Sequence, residues 1–178
     1  MKVLRFTKRD FKIIAEALEI AEDLTANFYK FSTDEWKNKH KYDLKTLISL
    51  SKHQVINNAF ALLCKDTIKD LNSIPQRIIG VYLICLQDHV ILSTLLNDKN
   101  LSLLPFLVYI LTHELVHIVR FCNYYACFNA PQSAKVQEEA IVNAITFDIL
   151  NSVMIPNLNY VLNLFCNSFN RIETALRR

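Results

Sequence analysis

Thr112-His113-Glu114-Leu115-Val116-His117-Ile118-Val119 closes an apolar run that begins at Leu101, and the rest of the chain is read outward from it. Ser102 can cap a helix here, Pro105 is tolerated in its first turn, and the run carries the helix to about Phe121. The four-residue spacing puts His113 and His117 on one helix face, one turn apart, where both imidazoles can bind a single ion. Zinc takes about four tetrahedral ligands, and a reactive site draws three from the protein and leaves the fourth to water. Glu114 lies about 100° around the helix from His113, which suits it to act as general base on a metal-bound water rather than as a ligand. A third ligand must therefore come from another element. Two imidazoles and a carboxylate in so apolar a helix would be expensive to bury without it.

The next element offers one. Asn129-Ala130-Pro131-Gln132-Ser133 marks a loop, and Ser133 to about Val153 reads as a helix carrying Glu138 and Glu139, either of which can reach the metal. Glu138 projects among Ile141, Val142, Ile145 and Ile149, where a carboxylate needs a charged partner. The whole pattern resembles the gluzincin branch of the zincin metallopeptidases, the thermolysin-like enzymes whose HExxH helix is followed by a second helix donating a glutamate. The likeness covers Arg77 to Leu150. It implies zinc-dependent hydrolysis of a peptide or protein substrate, with His113, His117 and Glu139 as ligands, Glu138 as the alternative third ligand and Glu114 as catalytic base. In that family an acidic partner follows the ligand by four residues. Asn143 stands there instead, able to accept a hydrogen bond from a ligating histidine but raising its basicity less than a carboxylate would. Tyr109, Tyr124, Tyr125 and His89 are candidate donors to a tetrahedral oxyanion.

Flanking segments complete a single α+β domain over residues 1–178, mostly helical, with a small antiparallel sheet. Thr7 and Asp10 form a capping box for a first helix running to about Phe31, with Phe11, Ile14, Leu18 and Ala21 at helical steps. Asp43 can cap a second helix through Leu44, Leu47, Ile48, Val55, Ala59, Leu62 and Leu63, so residues 1–72 are expected to form a helical pair. Between the two, Lys37, Lys39, Lys41 and Lys45 surround Trp36, His40 and Tyr42 in what reads as a solvated loop. Residues 75–155 are the expected zincin-like core. Within them, Arg77 to Leu86 and His89 to Leu96 read as a hairpin about Gln87-Asp88, or else as two buried helical segments. In the hairpin reading Val90 to Leu96 is the edge on which an extended peptide would add. Pro156 ends the core, and residues 156–178 form a terminal helix bearing Leu158, Val161, Leu162, Phe165, Phe169, Ile172 and Leu176.

Composition narrows the alternatives. A 52% hydrophobic chain of this length can bury a core, and a net charge of +3 spread along it gives no expectation of nucleic-acid binding. One glycine, Gly80, leaves no room for a Walker loop or a dinucleotide fingerprint. Five cysteines without a CxxC pair fit buried free thiols in a reducing compartment, and no export signal precedes the first helix, so the cytoplasm is expected. Leu101 to Val119 nears the length of a membrane span, but the other helices are interrupted by charges, so insertion in a membrane is not expected. A non-catalytic interaction module keeping zinc for stability is the remaining rival, its cleft filled by the terminal helix. Glu114 argues against it, since a structural zinc has no use for a general base.

Overall fold

The computed structural model describes residues 4–70 and 77–166. In chain order these form α1 (Lys8–Tyr29), α2 (Thr33–Lys39), β1 (Tyr42–Lys45), a 3-10 turn (Lys52–Gln54), β2 (Ala61–Asp70), β3 (Arg77–Leu86), α3 (Asp88–Asn97), α4 (Leu103–Cys122) and α5 (Gln132–Leu150), followed by a helix over residues 158–166. The fold is mostly helical α+β with one small sheet.

α1 begins where its capping box requires. The Thr7 backbone N–H donates to Asp10 Oδ2 at 2.7 Å, the Asp10 N–H donates back to the Thr7 hydroxyl, and Lys30 closes the helix in the left-handed region. Its buried face holds Ile14 and the smaller Ala17, Ala21 and Thr25, and it packs against α4, while Phe11 and Phe28 remain exposed. α4 is the axis of the molecule, with Pro105 to Thr112 and Leu115 to Val119 all buried. By length and composition α4 could cross a membrane, and most of its surface lies inside the fold. One cluster of buried side chains runs from Phe6 through α4 to Cys166.

The lysine-rich segment is not a loop. A second capping box, Ser32 with Glu35, starts α2, and Trp36 and His40 are buried against Phe31 with ring centroids 6.5 and 4.7 Å away. Lys37 and Lys39 keep to the solvent side, so the charges marked one face of an anchored helix.

The second long helix from Asp43 is also replaced, by β1 and β2. β3 is the central strand in the order β1-β3-β2, pairing in parallel with β1 (Tyr42 opposite Tyr82) and antiparallel with β2 (Ala61 opposite Leu86), so the sheet is mixed rather than antiparallel. Val81 to Leu86 is wholly buried, as suits a continuous apolar run covered on both faces. Leu44, Leu62 and Leu63 gain more from this pairing than from local helix, a tertiary effect that apolar spacing cannot register.

The expected hairpin is not formed: Arg77 to Leu86 is β3, paired antiparallel with β2, and His89 to Leu96 belongs to α3. Gln87 and Asp88 form no turn because they are buried connectors. Gln87 donates to the carbonyls of Gln54 and Cys85 at 2.9 and 3.0 Å, and its Oε1 accepts from Ile56 N–H at 3.0 Å. Asp88 accepts from the backbone N–H groups of Phe6 (3.1 Å) and Leu47 (2.9 Å). It also sits in the first turn of α3, where a carboxylate favours the helix dipole. In the terminal helix Leu158, Val161 and Leu162 are buried as expected, while Phe169, Ile172 and Leu176 lie outside the described residues.

Candidate metal centre

α4 carries His113 and His117 on the side facing α5, and α5 brings Glu139 to meet them. The two Nε2 atoms are 3.2 Å apart, Glu139 Oε2 is 3.3 Å from His113 Nε2, and Oε1 is 3.2 Å from His117 Nε2. These three residues form the candidate metal-binding group among the described residues. Ligand atoms placed tetrahedrally around zinc at about 2.0–2.2 Å stand roughly 3.3–3.6 Å from one another, and the Nε2–Nε2 separation is close to that edge, while Glu139 meets the two nitrogens through different oxygens. The donor chemistry fits as well. In the tautomer that carries its proton on Nδ1, each imidazole offers an Nε2 lone pair, and with a Glu139 carboxylate oxygen these are the donor atoms that zinc takes. Burial tends to raise the Glu139 carboxyl, but hydrogen bonds and charge from both histidines outweigh it and hold the group far below the usual carboxylate range.

Glu114 points elsewhere on α4, outside the ligand group, and lines the same cavity. Burial pushes its carboxyl up to about 7, with His113 pulling it down and Glu139 adding to the rise. A carboxyl poised there can both take and return a proton near neutrality.

Glu138 is held by Arg120, which donates from Nε to Oε1 at 2.6 Å and from its terminal nitrogen to Oε2 at 2.9 Å. Glu138 thus has the charged partner that its apolar setting demanded, and of the two glutamates Glu139 is the one at the histidines. Sequence reading missed Arg120. Its signal was positional, one turn beyond His117 on the same helix. Asn143 is buried in the cavity wall, but neither of its amide atoms, nor the Nδ1 of either histidine, has a hydrogen-bond partner among the described residues. The expected Asn143–histidine bond is therefore not formed.

A cavity of about 910 Å³ opens over these groups, walled by residues 58–63 at the start of β2, by α4 and α5, and by the loop of residues 125–130. Such a volume suits a ligand of several residues. β2 is an edge strand of the sheet, whereas Val90 to Leu96, expected to be an edge strand, lies in α3. Of the four oxyanion candidates, Tyr109 and Tyr125 line the cavity. Tyr124 is almost fully exposed with a left-handed backbone, and His89 bonds Asn57 Oδ1 at 2.8 Å. Phe165, from the terminal helix, stacks on Tyr109 and Phe106 and forms part of the wall without closing the cavity. The cysteines are free, but burial holds for Cys85 and Cys166 only. Cys127 is exposed at the cavity, Cys64 and Cys122 are half-buried, and neither Cys122 nor Cys127 joins the metal group.

No protein-family model, curated protein or solved structure matches the chain.

Proposed function

We propose that this protein is a zinc-dependent metallopeptidase with a gluzincin-like centre, in which His113, His117 and Glu139 hold the ion. The observation that carries the reading is the convergence of three side chains from two helices, with both histidine Nε2 atoms and the two Glu139 oxygens 3.2–3.3 Å apart and Glu114 on the same cavity wall. When bound, zinc supplies a Lewis acid for the scissile carbonyl and lowers the pKa of an attacking water. Glu114 takes the proton from that water and returns it to the leaving amine. Tyr109 and Tyr125, which line the cavity, are the candidates to donate to the developing oxyanion, and Tyr109 is the more buried of the two. An extended peptide would lie along the free edge of β2, gaining main-chain hydrogen bonds there. In this reading α4, α5 and the sheet would serve as the zincin-like core that the resemblance implies, with β2 as the substrate edge.

The test is zinc content by elemental analysis alongside cleavage of an unfolded protein substrate, for wild type and Glu114→Gln. About one zinc per chain in both, with cleavage only in wild type, is the expected result. Zinc without cleavage in wild type would favour the interaction-module reading, and no zinc after reconstitution would remove both.

A further inference from the structure

Glu138 and Glu139 are neighbours on α5, and their side chains leave the helix about 100° apart. One goes to Arg120 and the other to the histidines, so a single turn of α5 meets α4 at two adjacent points. Arg120 and Glu138 are each only about one-eighth exposed, at 13% and 12%, whereas Glu139 is half-exposed at 46%. Glu139 reaches the histidines with almost half of its side chain exposed.

We propose that the Arg120–Glu138 pair is a positioning clamp for the metal centre: it fixes the rotation of α5 against α4, and so places the Glu139 carboxylate between His113 and His117. The inference rests on the metal-centre reading above. Two parallel hydrogen bonds from a planar guanidinium fix angle as well as distance, which a lysine at the same place cannot do. A buried ion pair adds little net stability over apolar residues of similar size, so orientation is the property that distinguishes this pair. Arg120 is also within electrostatic reach of Tyr29 from α1 and Tyr125 from the cavity loop. Neither Arg120 nor Glu138 touches the ion or the reacting atoms in this scheme. Both act through Glu139.

The test uses the whole chain stripped of metal, titrated with Co2+ for its visible spectrum and with zinc against a chromophoric chelator. Two variants are compared with wild type: Arg120→Lys, and the apolar double substitution Arg120→Met with Glu138→Leu. Thermal melts of the metal-free proteins establish that they fold. The expected result is unchanged melting for the double variant, zinc affinity weakened ~10–100-fold in both, and altered Co2+ bands, the range usual for loss of a group that orients a ligand. Arg120→Lys keeps the charge and reports on the lost second hydrogen bond even where the apolar variant does not fold. Unchanged affinity and an unchanged Co2+ spectrum in a folded variant would overturn the clamp while leaving the metal centre standing. A wild-type protein that binds neither Co2+ nor zinc would overturn the metal centre itself, and the clamp with it.

Discussion

Glu139 Oε2 lies 3.3 Å from His113 Nε2 across the junction of two helices, and the other oxygen of the same carboxylate meets His117. One side chain thus satisfies both imidazoles, and its removal leaves two ligands where a reactive zinc site needs three. Glu139→Ala should lose zinc almost completely on dialysis, while Glu114→Gln retains it. Elemental analysis of the two side by side checks this, and equal zinc in both would move the third ligand elsewhere.

The metal-free protein should carry a pH signature of Glu114. Burial lifts its carboxyl from 4.5 to about 7, so between those values the folded chain keeps a proton that the unfolded chain has released. Unfolding then releases a proton, and rising pH favours the unfolded state. With chelator present, wild type should lose melting temperature relative to Glu114→Gln as pH rises from about 4.5 to about 7, with a constant gap above that. A gap that does not vary with pH would mean that the fold already accepts the ionised carboxylate.

Thiol reactivity separates the cysteines by burial. Desolvation pushes the Cys85 thiol up to about 12 and Cys166 to about 11, while Cys127 stands exposed at the cavity. Thiolate is the reactive form, so iodoacetamide on the native protein should label Cys127 first and leave Cys85 and Cys166 unmodified until denaturant is added. Peptide mapping by mass spectrometry gives the order, and early labelling of Cys85 would contradict the buried β3.

Asp88 joins three distant parts of the chain, and its carboxylate is the acceptor for two backbone N–H groups. Asp88→Ala should lower the free energy of unfolding by about 3 kcal/mol, because both donors lose a charged partner. Urea titration measures it. A loss below about 1 kcal/mol would mean that water replaces the carboxylate without cost.

How much was legible from the sequence follows the range of the interactions. Thr7 with Asp10 predicts the start of α1 because a capping box is closed within four residues. Likewise, the run from Leu101 and the His113–His117 spacing predict α4 and its reactive face, since helical periodicity is local. Leu44, Leu62 and Leu63 were misread as helix because three- and four-residue spacing also describes strands whose partner is far away. Only β3, contributed later in the chain, turns those residues into a sheet.

The sequence by itself determined the chemistry available: two imidazoles on one face, a base beside them, and two glutamates on the next helix. Only the tertiary structure decided which glutamate does what. Glu138 and Glu139 differ by one residue of helix rotation, and that rotation is set by where α5 rests on α4, with Arg120 taking one carboxylate and the histidines the other. Spacing along a chain can bring a residue to the right helix. The angle between packed helices, which no local signal encodes, determines what that residue touches.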